Sequence, residues 1–210
     1  MNLFNLVITN TKNYGLFQTA ILILYEIFYS LNIKYYRHIF YDESVSDEYH
    51  FSKMNKIYNS PYCPTPIYFL KIIESFLKKF ELKKFTYIDF GSGAGRTLYF
   101  FKKNFKNLYG IEFNEKYKKF YSNKEFKLMD LRKKNNFNFF KKKNKYFLLF
   151  FFDPFEQNLV EKIVSKFINC KYIIILINYK KLSKKYGTII FNKEFIDKNK
   201  KNIRIYSNLN

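Results

Sequence analysis

"YIDFGSGAGRTLYF" (residues 87–100) runs from a hydrophobic segment through three closely spaced glycines into a helix-like segment. The glycines are Gly91, Gly93 and Gly95, and an acid, Asp89, precedes the first of them by two positions. Glycines in this setting allow a tight turn and let a ligand approach the backbone closely. The stretch therefore predicts a ligand-binding turn in an α/β fold. The ligand is a dinucleotide, a phosphate or another adenosine-bearing cofactor.

The spacing of the glycines narrows this choice. They form G-x-G-x-G followed by Arg96, whereas the dinucleotide fingerprint is G-x-G-x-x-G and a phosphate-binding P-loop is G-x-x-x-x-G-K-[ST]. The Asp89 carboxylate would also repel a pyrophosphate placed over the helix N-terminus. It suits a ligand with an ammonium group, and S-adenosylmethionine has an ammonium, a cationic sulfonium and no phosphate.

Polar residues lie at or next to the predicted ends of three later strands. Glu112 is the acid of "YGIEF", Asp130 closes "KLMD", and "FFFDPF" supplies Asp153, Pro154 and Phe155. Ligands of parallel α/β sheets bind outside the carboxyl ends of the strands. We therefore expect these side chains to face one site.

The D-x-G-x-G-x-G turn, Glu112, Asp130 and the D-P-F segment together resemble class I methyltransferases over about residues 65–206. The resemblance implies that Glu112 holds the ribose hydroxyls of S-adenosylmethionine and that Asp130 lies near the adenine amino group. Arg96 would reach either the methionine carboxylate or an acid on the protein's own surface. The implied cofactor-binding set is Asp89, Gly91, Ser92, Gly93, Gly95, Arg96, Glu112, Phe113 and Asp130.

The same resemblance assigns the reacting end to Asp153, Pro154 and Phe155. If the methyl acceptor is an amine, the Asp153 carboxylate and the Pro154 carbonyl would accept its hydrogens while Phe155 packs on the substrate. Many amino-directed members of the family have [DNS]-P-P-[FYW]. This chain has one proline fewer, which argues against methylation of a nucleobase. No metal is required, because the methyl donor is already activated.

The alternation of strands and helices predicts a Rossmann-like three-layer α/β sandwich with a mostly parallel seven-stranded sheet and an antiparallel edge strand. We assign it to residues 65–210, after an N-terminal helical extension at 1–64. Thr65 is expected to cap the helix that begins there. The predicted strands are 85–90, 107–113, 126–130, 145–152, 171–178, 187–192 and 202–208. The predicted helices are 15–31, 66–80, 95–104, 114–123 and 156–168.

Composition leaves the acceptor open. The net charge of +21 suits a nucleic acid, but scattered lysines with few arginines also fit a codon bias. The acidic segment "YDESVSDEYH" (41–50) would attract a basic protein substrate. We therefore expect a nitrogen on a protein side chain, with RNA or DNA methylation and a non-catalytic cofactor-binding module as alternatives.

Two observations bear on membrane contact and on the cellular compartment of the protein. The apolar segment 14–31 contains Gln18, Thr19 and Glu26 and lacks a basic start, which favours a helix packed on the domain over a membrane contact. Two isolated cysteines, Cys63 and Cys170, fit a reducing, cytoplasmic compartment.

Overall fold

The structure is a computed structural model, and it describes residues 3–30, 65–122, 124–133, 137, 140, 145–152, 156–195 and 202–209. The strands are β1 (Thr86–Phe90), β2 (Asn107–Glu112), β3 (Phe126–Leu128), β4 (Tyr146–Phe152), β5 (Lys171–Ile177), β6 (Thr188–Glu194) and β7 (Asn202–Ser207). The α-helices are α1 (Leu3–Ser30), α2 (Ile67–Leu77), α3 (Arg96–Phe101) and α4 (Gln157–Ser165). Short 3-10 helices cover Leu82–Lys84, Glu115–Phe120 and Lys184–Tyr186.

The strands form one seven-stranded sheet in the order β3-β2-β1-β4-β5-β7-β6. Strands β1 to β5 pair in parallel, and β7 is antiparallel to both β5 and β6. The predicted Rossmann-like, mostly parallel α/β sheet is confirmed. The antiparallel strand β7 lies one position inside the edge strand β6. The connection from Glu194 to Asn202 is too short for a parallel crossover of about a dozen residues, so β6 and β7 pair antiparallel.

Helices cover both faces of the sheet and bury its central strands. In β4, Leu148 and Phe150 pack in the cluster that includes α2 and α3, whereas Leu149 and Phe151 pack in the cluster that includes α4. All four side chains are 0% exposed. Successive side chains of a strand point to opposite faces, so a strand buried on both faces appears in the sequence as a continuous apolar run.

Helix α1 bends at Gly15, whose φ of 76° lies outside the helical region. Its second half corresponds to the predicted helix at 15–31, and Leu22 enters the core at 4% exposure. The opposite side of this half is apolar and exposed, at Leu16, Phe17, Leu24 and Phe28. Among the residues that the structure describes, none of the helices combines the length and apolarity needed to cross a membrane.

Two local predictions need correction. Helix α2 begins after Pro66 with no side-chain cap from its own segment, so the expected Thr65 cap is wrong. The Ile67 N–H instead donates to the carboxylate of Glu26 in α1, at 2.9 Å. The segment predicted as a helix at 114–123 is the 3-10 helix Glu115–Phe120, which Asn114 caps by accepting a hydrogen bond from the Lys116 N–H.

Candidate active site

The glycine turn joins β1 to α3 at the carboxyl edge of the sheet. The backbone N–H groups of Gly91 and Ser92 donate to the Ile111 carbonyl at 2.8 and 3.2 Å, which anchors the turn to β2. Gly95 has a φ of +79°, and a Cβ added to it would lie 2.9 Å from the Tyr121 ring. A side chain at this position is therefore excluded both by the backbone conformation and by the neighbouring ring.

Asp89, the penultimate residue of β1, is buried directly beneath this turn. It is 3% exposed, and its carboxylate accepts a hydrogen bond from the Thr97 hydroxyl in α3. Burial raises the pKa of Asp89 from 3.8 to about 7; the Thr97 hydrogen bond opposes this rise, and the nearby Glu112 carboxylate adds to it. Burial thus disfavours the ionised form of Asp89, and a cationic ligand bound beside it would stabilise that form.

Glu112 ends the neighbouring strand β2 and is also buried. Its carboxylate accepts hydrogen bonds from three backbone N–H groups, those of Gly93 at 3.0 Å, Phe113 at 2.8 Å and Asn114 at 3.0 Å. Burial raises the pKa of Glu112, and the three backbone donors act in the opposite direction. Through Gly93, this side chain ties the end of β2 to the glycine turn.

Tyr121 and Gly110 also shape the turn, although neither was a predicted site residue. The Tyr121 hydroxyl donates to the Gly93 carbonyl and lies 2.7 Å from the Ser92 hydroxyl. A Cβ at Gly110 would lie 2.5 Å from the Ser92 Oγ and 2.7 Å from the Tyr121 ring. Glycine inside a strand often marks such a close approach. The glycine of "YGIEF" could therefore have indicated this close contact from the sequence, whereas no sequence pattern pointed to Tyr121.

Asp130 follows β3 and forms a two-point ion pair with Arg132. Arg132 Nε lies 2.8 Å from Oδ1 and Nη2 lies 2.9 Å from Oδ2. The Arg132 hydrogen bonds hold the pKa of Asp130 below its ordinary value. The same guanidinium lies 5.6 Å from the centre of the Phe113 ring. Arg132 thereby brings together Asp130 and Phe113, and their roles toward an adenine stay predictions.

Arg96 is the first residue of α3 and is 4% exposed. Its Nη1 donates to both carboxylate oxygens of Glu26, at 2.9 and 3.0 Å, and to the Thr65 carbonyl at 3.2 Å. Of the two predicted partners, a cofactor carboxylate or an acid of the protein itself, the structure contains the second. The acid comes from α1, far away in the sequence.

The predicted catalytic residues follow β4, which ends at Phe152. Asp153, Pro154 and Phe155 lie outside the described residues, so their roles stay predictions. Within the described ranges, His, Cys, Asp and Glu side chains form no group of three or more that could hold a metal ion.

Comparison with solved structures finds similar folds at low sequence identity. A protein from Pyrococcus horikoshii OT3 is 15% identical with a TM-score of 0.46, over 77% of this chain and 98% of that one. An rRNA methylase from Streptococcus thermophilus is 11% identical with a TM-score of 0.45, over 70% and 98%. Magnesium protoporphyrin IX methyltransferase from Synechocystis PCC 6803, solved with bound S-adenosylmethionine, is 14% identical with a TM-score of 0.44, over 88% and 93%. No protein-family model matches this chain, and no curated protein matches its sequence.

Proposed function

We propose that this protein is a methyltransferase that uses S-adenosylmethionine. The observation that carries the proposal is the pair of buried carboxylates, Asp89 and Glu112, at the ends of adjacent strands beside the glycine turn. The cation at this turn, Arg96, is neutralised by Glu26. A pyrophosphate at about 4 Å from either carboxylate would be repelled by roughly 4 kcal/mol per charge pair at an effective dielectric of about 20, whereas a cationic donor would be attracted.

The hydrogen-bonding capacity of the two acids fits such a cofactor. An ionised carboxylate offers about four acceptor positions. In Glu112 three are used by backbone N–H groups, which leaves room for a ribose hydroxyl. Asp89 accepts from Thr97 and can accept from an ammonium as well. The cofactor, once bound, supplies a methyl group already activated by its sulfonium, so the protein's task is chiefly positioning.

For the acceptor we propose a nitrogen on a protein side chain, such as that of lysine. The support comes from the sequence, in the acidic segment 41–50 and in the D-P-F segment. An amine must be neutral to attack. The Asp153 carboxylate and the Pro154 carbonyl would accept its remaining hydrogens and align its lone pair, while Phe155 shields the reacting atoms from water.

Nucleic acid is the alternative acceptor, suggested by the net charge of +21. Exposed lysines lie near both the amino and the carboxyl ends of the parallel strands. Lys106 and Lys145 directly precede β2 and β4, at the edge away from the glycine turn, and Lys171 begins β5 there. Lys118 and Lys119 follow β2, at the edge that contains the turn. Among the described residues, exposed lysines are therefore present at both ends of the parallel strands, and their placement does not favour nucleic acid.

Two measurements test the proposal. Calorimetry with S-adenosylmethionine should show binding to the wild-type protein, strong weakening in Asp89→Ala and Glu112→Ala, and unchanged binding in the control Glu74→Ala. Glu74 lies on α2 and pairs with Lys71 of the same helix. Binding that survives unchanged in both site variants would show that the pocket is assigned wrongly.

The second measurement identifies the acceptor. The protein is incubated with labelled cofactor and a lysate that lacks it, and label is expected in the protein fraction. Label in RNA or DNA would replace the protein acceptor with a nucleic-acid one. Cofactor binding with no transfer to any fraction would indicate a non-catalytic module.

A further inference from the structure

Glu26 of α1 joins three segments that are distant in the sequence. Its carboxylate binds Arg96 Nη1 through both oxygens, at 2.9 and 3.0 Å, and accepts from the Ile67 N–H at 2.9 Å. The Arg96 side chain is 4% exposed and that of Glu26 is 30% exposed. The pair is therefore largely withdrawn from water.

Both partners of Glu26 are first residues of helices at the carboxyl edge of the sheet, the side that contains the glycine turn. Ile67 is the first residue of α2, and Arg96 is the first residue of α3, directly after Gly95 of the glycine turn. A carboxylate near helix N-termini is favourable because the first backbone N–H groups lack partners within the helix. Glu26 thus replaces a local cap for α2 and fixes the end of the turn through Arg96.

Other contacts hold α1 on the domain without Glu26. Leu22 is buried in the core, and the rings of Tyr25 and Tyr68 lie 5.5 Å apart. The Lys71 ammonium lies 5.5 Å from the Tyr29 ring and 5.2 Å from the Phe100 ring. Removing the Glu26 charge should therefore leave the helix docked.

We propose that Glu26 is a positioning residue for the cofactor site, and that α1 is thereby a working part of that site. This rests on the proposed function. Without the Glu26 charge, Arg96 would lose this ion pair and the Ile67 N–H would lose its charged acceptor. The first residue of α3 follows directly on Gly95, so the end of the glycine turn would lose its anchor to α1. The turn would then be held less firmly in the conformation that binds the cofactor.

The test compares Glu26→Gln with Glu81→Gln. The first change keeps the shape and a hydrogen-bond acceptor but removes the charge. The second removes the charge of an exposed acid that pairs with Lys84, three residues further along the chain. Calorimetry should show the dissociation constant of S-adenosylmethionine rising about 10-fold or more in Glu26→Gln, because a largely buried ion pair is lost, and staying within about two-fold in Glu81→Gln.

A positioning role also predicts non-additive effects and a specific kinetic pattern. Arg96→Gln should weaken binding, and the double variant Glu26→Gln/Arg96→Gln should bind no worse than the weaker-binding single variant, because both changes break the same ion pair. In the transfer assay, KM for the cofactor should rise in Glu26→Gln while kcat at saturating cofactor is retained.

The outcomes separate the inference from the function on which it rests. If the wild-type protein does not bind S-adenosylmethionine, both fail. If the wild type binds and Glu26→Gln binds equally well, the positioning role is overturned and the proposed function stands. The positioning role is also overturned if the lost affinity of Glu26→Gln matches the fraction unfolded at the assay temperature, measured by circular dichroism, since that would be a stability effect.

Discussion

Replacing Asp89 with Asn should make the cofactor-free protein more stable while weakening its binding of the cofactor. Asn has nearly the same shape and retains an oxygen that can accept the Thr97 hydroxyl, so packing is preserved. What disappears is a buried negative charge beside Glu112. A gain in stability together with a loss of binding would mark Asp89 as retained for its ligand and not for the fold.

The magnitude follows from the pKa of Asp89, which burial raises from 3.8 to about 7. The folded state therefore holds a proton that the unfolded state releases between about pH 4 and pH 7. The Asp89 contribution to the free energy of unfolding accordingly falls as pH rises through this window and is constant above it. The difference between 3.8 and about 7 corresponds to about 4 kcal/mol, and we expect a gain of about 2–4 kcal/mol because burying the amide of Asn offsets part of it.

The assay is urea unfolding of both proteins at pH 5 and pH 8.5, without cofactor. Asp89→Asn should exceed the wild type by about 2–4 kcal/mol at pH 8.5 and by less at pH 5. Saturating S-adenosylmethionine should reverse the order at pH 8.5, because a ligand stabilises only the form that binds it. If the variant is no more stable than the wild type at pH 8.5, or if the difference between them does not change with pH, the ionised form of Asp89 is not destabilised by burial.

Three further predictions concern the turn and the acceptor. Gly110→Ala should lower the free energy of unfolding by about 1–3 kcal/mol, because its Cβ would lie 2.5 Å from the Ser92 Oγ; unchanged urea unfolding would mean that this packing is looser than described. Tyr121→Phe should cost about 1 kcal/mol in the same assay and weaken cofactor binding, since it removes the hydrogen bond to the Gly93 carbonyl; an unaltered dissociation constant would remove Tyr121 from the site. In filter binding, RNA should be retained at low salt and released at moderate salt without acquiring methyl label, and transfer of label to RNA would favour the nucleic-acid acceptor.

The elements that the sequence located best are those whose burial is uniform along the chain. Strands β4 and β5 appear as continuous apolar runs because both of their faces are covered, and their predicted bounds agree with the structure to within one residue. The glycine turn and its neighbour Asp89 were equally visible, because close backbone approach requires glycine. Glu112 was expected from the resemblance to class I methyltransferases, and it lies beside the turn because adjacent parallel strands end at the same side of the sheet.

The predictions that failed depended on local capping and helix preferences. Thr65 is a good capping residue, yet Glu26 of α1 satisfies the first N–H of α2 instead. Any acceptor that reaches the unpaired N–H groups at a helix start can cap it. When that acceptor lies on another helix, no sequence pattern near the capped helix reveals it. The segment after β2 had helical spacing, but it closes as the 3-10 helix Glu115–Phe120.

The sequence alone determined the class of fold, the glycine turn and the acids that surround it, because each depends on residues within one strand or one turn. Only the tertiary structure decided that β7 inserts between β5 and β6, that Tyr121 packs on the turn, and that Arg96 pairs with Glu26. The physical reason is distance along the chain. Backbone periodicity and burial act on neighbouring residues and leave a pattern in the sequence. Pairings between remote segments depend on how already formed elements pack, and the same local sequence is compatible with several such partners.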